Sequence, residues 1–393
     1  MNSNRHFHIS VLCLASLLLT ACGGQSGAEN ENKLSAEKIK QLIPARVQDR
    51  ESWAQDILEI TDELKIPQNA ENMCTIVAVV DQESNFVANP VVPGLGNKAA
   101  TEIKERLQDK LGKTMAGYFE NMLKTKPTPD DNYLNQIKKV KTEKDLDQLY
   151  REMFSYYSQQ YHVSLLTGAA KLVGEDLAER FNPITTLGSM QVHVNYAKQN
   201  KRSYMNINQL RDELYTEYGG LYYGIHRLMM YPANYDKPLY RFADYNSGMY
   251  SSRNAAFQKM LNKLMDEKEK LDLDGDLLQY NKDGDVKLQK SGTEQALMQY
   301  FSKDPTAPSA GDIRSDLKKE KTQAFENTNT YKYVIKKYQD KIGHDAPYAI
   351  MPKVVISGPK LSRDYNTNWY AERVNSRYVS CMQRAKRLKL KIS

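Results

Sequence analysis

The sequence predicts a mainly α-helical protein, and three observations carry that prediction. Leu42, Trp53, Ile57, Ile60 and Leu64 recur at helix-like intervals. Residues 97–181 are charged, tyrosine-rich and helical in pattern, with one break at Lys126-Pro127-Thr128-Pro129-Asp130. Residues 369–392 form an amphipathic stretch with a basic tail. Further helices are expected over 195–265. Strand content is small: 277–288 reads as a hairpin around Lys282-Asp283-Gly284, and 353–356 as a short strand. One segment stays open on its residues alone. Cys74-Thr75-Ile76-Val77-Ala78-Val79-Val80 is solidly apolar, its β-branched content suits a buried strand, and its length does not arbitrate against a helix. Pro90, Pro93, Gly94 and Gly96 end it and begin a loop.

The first residues bear on the compartment. Arg5 supplies a positive charge ahead of a short apolar run over 9–21, which is too short to span a bilayer comfortably and reads as a signal-peptide core. Leu19-Thr20-Ala21-Cys22 resembles the bacterial lipobox, in which the cysteine is lipidated and becomes N-terminal. The alternative is an ordinary cleavage site beside an accidental cysteine. The expectation is a signal peptide over 1–21, lipidation at Cys22 and a small, polar tether over 22–34. By the same resemblance Gly23, where an inner-membrane signal would usually place Asp, favours the outer membrane, with the protein on its periplasmic face.

Of four cysteines, Cys13 would leave with the signal and Cys22 would carry lipid. Cys74 and Cys381 remain, and a periplasmic setting permits a disulfide between them, against two buried thiols. The formal charge is +7, with 26% charged and 40% hydrophobic residues. This is an ordinary globular composition, able to bury one large core or two modest ones. A mild basic excess suits an anionic wall polymer, and export argues against nucleic acid as a partner.

Three short stretches carry the chemistry: Asp81-Gln82-Glu83-Ser84-Asn85-Phe86 after the apolar run, Leu187-Gly188-Ser189-Met190-Gln191-Val192, and Ala243-Asp244-Tyr245-Asn246-Ser247-Gly248. Any one alone is weak. In this order and with these apolar flanks, over about residues 72–260, they resemble the lytic transglycosylases of the lysozyme-like superfamily. The C-terminal half, including Leu273-Asp274-Gly275-Asp276-Leu277-Leu278 and Trp369-Tyr370-Ala371-Glu372-Arg373-Val374, looks like a family of bacterial lipoproteins built on this module.

The resemblance implies that the apolar run is a buried helix closed by Glu83-Ser84. It also implies a lysozyme-like, α-helical (α+β) catalytic domain over 35–270, a large helical insertion at about 97–181 and a small mixed C-terminal extension over 271–393. The substrate would be the glycan strands of peptidoglycan, cleaved at the MurNAc–GlcNAc β-1,4 bond with no cofactor and no metal. Glu83 would be the single catalytic acid/base. Breaking a glycosidic bond needs a proton donor, and a carboxyl at the end of an apolar helix is partly desolvated, which disfavours its charged form. After giving its proton to the leaving oxygen, the same group would take one from the muramyl C6 hydroxyl, which closes on C1 as a 1,6-anhydro ring. Ser84 would hold Glu83 or touch substrate. Ser189, Met190 and Gln191 would form the cleft segment, Met190 as its apolar floor. Tyr245 would position the acid and Asn246 would bind the N-acetyl sugar.

The departures from the family pattern are Ser189 in place of Leu, Asp244 in place of Ala, and the insertion itself. Asp81 and Asp244 leave open a muramidase-type hydrolase, in which a second carboxylate orients water. A non-catalytic peptidoglycan-binding lipoprotein is the other alternative. The run Asp272-Leu273-Asp274-Gly275-Asp276 hints at calcium, but counting from Asp272 an EF-hand would need Gly where Leu277 stands and Glu where Asp283 stands, so these are turn acids. His162, His193, His226 and His344 lack metal-ligand spacing. Among 26 tyrosines, Tyr156, Tyr157, Tyr161, Tyr215, Tyr218, Tyr222 and Tyr223 have faces suited to sugars, and at helical spacing most are packing residues.

Overall fold

The Ser35 hydroxyl accepts the Lys38 amide and starts α1 (Ala36–Leu42), which is followed by α2 (Arg50–Glu63). The open segment resolves next. Asn69 caps α3 (Ala70–Glu83), whose residues from Met73 to Asp81 are all buried, so the β-branched run is helical and covered on every side. Burial at this depth outweighs the modest helix preference of Val and Ile, since each such side chain contributes roughly 1.5–3 kcal/mol on leaving water. The computed structural model describes residues 34–161, 179, 182–265, 270–281, 284–302, 304–356 and 364–392. The expected signal peptide, Cys22 and the tether up to residue 33 lie outside the described residues, as do 162–178 and 180–181 of the expected insertion.

After the loop at Pro90 come α4 (Leu95–Thr125), α5 (Tyr133–Lys139) and α6 (Glu143–Tyr161). Gly112 interrupts α4 at φ 75° and ψ 165°, a conformation that favours glycine. Lys104 and Glu120 form an ion pair at 3.3 Å. Sixteen residues of straight helix would hold them some ~24 Å apart, so the two arms of α4 fold back on each other. An antiparallel pair follows, β1 (Thr186–Leu187) with β2 (Val192–His193), in the register Thr186 to His193 and Leu187 to Val192. Then come α7 (Val194–Gln199), α8 (Ile207–Leu214), α9 (Glu217–Met229), α10 (Pro238–Ser247) and α11 (Ser251–Leu264).

A second apolar core gathers Phe257, Met260 and Leu261 of α11 with Leu277, Leu297, Phe325 and Val334. It is built by α12 (Gly292–Phe301), α13 (Ala310–Leu317), a short turn of 3-10 helix and α14 (Asn329–Ile342). The expected 277–288 hairpin has its ladder at Tyr280 and Val286, while Lys282 and Asp283 lie outside the described residues. β3 (Val355–Ile356) pairs antiparallel with β4 (Tyr365–Asn366), and α15 (Thr367–Arg387) closes the chain.

The division expected at 270/271 is different in the fold. The second core begins inside α11, and α15 returns to the first core through Tyr370, Ala371, Val374, Cys381 and Ala385. The reason lies in α3, which is apolar nearly all round and needs cover on the side that α1 and α9 leave open. A disulfide joins Cys74 of α3 to Cys381 of α15. The Ala70 and Glu71 amides, which have no partner inside their own helix, donate to the carbonyls of Lys391 and Ile392 at 3.0 and 3.1 Å. Among the described residues the protein is mainly α-helical, and no helix is long and apolar enough to cross a membrane.

Candidate active site

Glu83 is the last residue of α3. Ser84 closes the helix, its amide at 3.1 Å and its hydroxyl at 3.2 Å from the Val80 carbonyl. Asn85 and Phe86 then take φ of 53° and 60°. The Phe86 ring packs edge-on against Trp53 at 5.3 Å, which fixes this abrupt exit from the helix. The turn leaves the half-buried Glu83 carboxylate on the wall of a cavity of about 520 Å³.

The second motif is the turn between β1 and β2. Gly188 has φ +77°, and a Cβ there would stand 2.2 Å from the Leu214 carbonyl oxygen, so only glycine lets the turn lie on α8. Met190 is fully buried and its side chain lies over Gly224 of α9, where a Cβ would come within 2.3 Å of its sulfur. Gln191 faces the cavity. Its side-chain amide donates to the Glu143 carboxylate at 3.1 Å and its oxygen accepts from Thr186 at 3.0 Å. The third motif is the end of α10, which brings Tyr245 and Asn246 to the same cavity.

The structure therefore brings Glu83, Gln191, Tyr245 and Asn246 together around one cavity. Ser84, Ser189 and Met190 are buried and are not among the residues that line it. Ser84 ends a helix, Ser189 packs against Gly220, and Met190 supports the wall from within. Tyr245 differs from expectation as well. Its hydroxyl donates to the Met190 carbonyl at 2.7 Å. The phenol that donates to Glu83 Oε1 belongs to Tyr370, from the first turn of α15. Burial, and then the neighbouring Glu83, push the Tyr370 hydroxyl pKa well above its ordinary value, so it stays protonated as a donor.

The two carboxylates that left a hydrolase open are held elsewhere. Asp81 pairs with Arg46 and with Arg377, the latter at 3.3 Å. Asp244 accepts the Tyr235 hydroxyl and the Ser252 amide, the latter at 2.7 Å, and burial raises its pKa to about 6. Neither lines the cavity. The acidic side chain that joins Glu83 there is Glu102 of α4, which holds Arg106 at 2.7 Å. Lys98, Thr185, Thr186, His193 and Arg227 also line it. Burial first, then Arg227 and Arg211, lower the His193 pKa and favour its neutral ring. Among the described residues no group of His, Cys, Asp or Glu has the arrangement to hold a metal ion. In the run suggestive of calcium, Asp274 accepts from Gln258 at 2.7 Å and from the Asp276 amide at 3.1 Å.

Sequence reasoning missed Tyr370 and Arg227, while the charged residues of α4 on the cavity, Lys98, Glu102 and Arg106, fall in the segment expected to lie beside the cleft. A signal for Tyr370 was available. On α15 it shares a face with Val374 and Cys381, four and eleven residues on, so a Cys74–Cys381 bond implies that this face meets α3.

Residues 46–384 match the family described as "Protein of unknown function (DUF1615)". The chain belongs to that family. The matched span contains Glu83, Gln191, Tyr245, Asn246 and Tyr370, together with both bonded cysteines. The chain is also similar to "Uncharacterized protein YaiW" of Escherichia coli (strain K12), at 33% identity over 380 residues, 95% of this chain and 98% of the relative. No solved structure matches it.

Proposed function

We propose that the protein is a peptidoglycan lytic transglycosylase built on a lysozyme-like module, with Glu83 as the acid/base, anchored through Cys22 to the periplasmic face of the outer membrane. The observation that carries the reading is convergence: Glu83, Gln191, Tyr245 and Asn246 come from three separated segments and line one cavity. In the reaction, Glu83 protonates the glycosidic oxygen as the C1–O bond breaks. The muramyl C6 oxygen then attacks C1 and its proton passes to Glu83, so no water is consumed and the carboxyl is regenerated. Tyr370 orients the carboxyl by donating to its Oε1. Asn246 and Gln191 offer amide donors and acceptors for acetamido and hydroxyl groups.

The second reading is a muramidase, and Glu102 on the same cavity is the observation that favours it. Digestion of purified sacculi in heavy-oxygen water separates the two. A transglycosylase releases 1,6-anhydromuropeptides without label, whereas a hydrolase releases reducing ends carrying the heavy oxygen. Binding to sacculi with no soluble product would contradict both and leave a wall-binding scaffold.

A further inference from the structure

Most arginines of the described fold already hold a carboxylate. Arg106 holds Glu102, Arg211 holds Asp147 and Glu179, Arg202 holds Glu213, and Arg253 holds Glu326. Arg227, in the last turn of α9, is different. It is half-buried, lines the cavity that contains Glu83, and has no carboxylate within ion-pair distance among the described residues. Its guanidinium lies over the Tyr245 ring, 4.5 Å from the centroid. This contact holds the guanidinium at the cavity wall, and a guanidinium is the cation that takes a carboxylate with two parallel hydrogen bonds. Lys98, also on the cavity, adds a second cation without a carboxylate partner among the described residues.

We infer that Arg227 is a carboxylate receptor of the cleft, and that the acid it takes is carried by the muramyl residue bound against Glu83. The inference rests on the proposed reading of the site. Hydroxyls and acetamides of the glycan are neutral and bind a guanidinium more weakly than a carboxylate does. The acids of the polymer are the lactyl carboxylate on C3, free where the stem peptide has been removed, and the carboxylates of the stem itself. Both Arg227 and Glu83 act electrostatically on Tyr245 and on Tyr370, so the two lie around the same phenols. The acid that meets Arg227 therefore belongs to the sugar being cleaved, or to the stem it carries, and not to a distant unit of the strand.

The test is equilibrium binding of small probes to the full chain, which requires no turnover. The probes are N-acetylmuramic acid, its methyl ester, N-acetylmuramyl dipeptide with its free carboxylate, and N-acetylglucosamine. Wild type is expected to bind at least one of the two acids about tenfold or more tighter than the neutral probes, with the preference shrinking as salt rises. Arg227→Gln should bring the preference below about twofold, and Arg227→Lys should keep part of it. A preference for muramic acid over its ester assigns the lactyl group, and one confined to the dipeptide assigns the stem. Equal binding of acids and neutral probes by wild type, or an undiminished preference in a folded Arg227→Gln, would overturn the inference. Intact acid preference alongside absent sacculus cleavage would count against the enzyme reading alone.

Discussion

A phenol and a carboxylate meet where α15 crosses the end of α3, and the donor is the Tyr370 hydroxyl. In the proposed mechanism that hydroxyl orients the acid, so Tyr370→Phe should lower kcat on sacculi about tenfold or more. KM should stay within about twofold, since substrate binding keeps its contacts. A matching rise in KM would instead make Tyr370 a binding group. Asp244 carries a second prediction at this scale. Its buried carboxyl has a pKa raised from 3.8 to about 6, so the folded state holds its proton more tightly than the unfolded chain. The stability this contributes is complete below about pH 4 and is lost as pH rises through about 6, on the order of 3 kcal/mol in all. Denaturant melts of Asp244→Asn should be flatter over that interval than those of wild type. Glu320, raised by burial from 4.5 to about 7, has the same sign and continues the wild-type decline upward. A pH dependence of stability between pH 4 and 6 that is the same in wild type and in Asp244→Asn would contradict this.

At the scale of elements, the wall opposite Glu83 depends on glycines of α9 that let the β1–β2 turn approach. Gly224→Ala would place a Cβ 2.4 Å from the Met190 Cβ and 2.3 Å from its sulfur, so the turn must move. The expected result is a loss of about 1–3 kcal/mol in stability and a larger fractional loss of sacculus cleavage. The segment with α6 is fastened to α8 by Arg211, which bonds Asp147 of α6 at 2.6 Å and Glu179 at 2.7 Å. Removing the cation leaves Asp147 buried with less compensation, so Arg211→Met should cost about 3–5 kcal/mol in a chemical melt. A loss below about 1 kcal/mol would show that α6 and α8 are held together by other means. These elements also show what a sequence discloses. That Glu83 shares a cavity with Gln191, Tyr245 and Asn246 was legible because the three motifs were read together. The helical state of that run was not legible from composition, since Val and Ile suit a strand as well, and tertiary burial decided it. The fold-back of α4 was hidden because Gly112 alone marks it, with no proline nearby.

On the scale of the whole molecule, chain order and spatial order diverge. The second core is inserted between α11 and α15, and the tail helix completes the first core beside α3. The cysteine pair spans 307 residues, a separation at which loop closure contributes up to about 5 kcal/mol in the entropic view. Cys381→Ser should therefore lower the melting temperature of the oxidised protein markedly, and reductant should remove the difference from wild type. An unchanged melting temperature would place the work in the apolar face of α15 instead. Such a long-range closure was visible in the sequence only as two leftover cysteines, and the placement of Tyr370 over Glu83 was its unseen consequence. The central claim is that this closed architecture presents Glu83 to a glycan strand as its acid/base. The most direct measurement is the release of soluble muropeptides from purified sacculi by wild type and by Glu83→Gln at equal, verified folding. Loss of release by the variant of at least about a hundredfold is expected, and equal release by the two proteins would contradict the account.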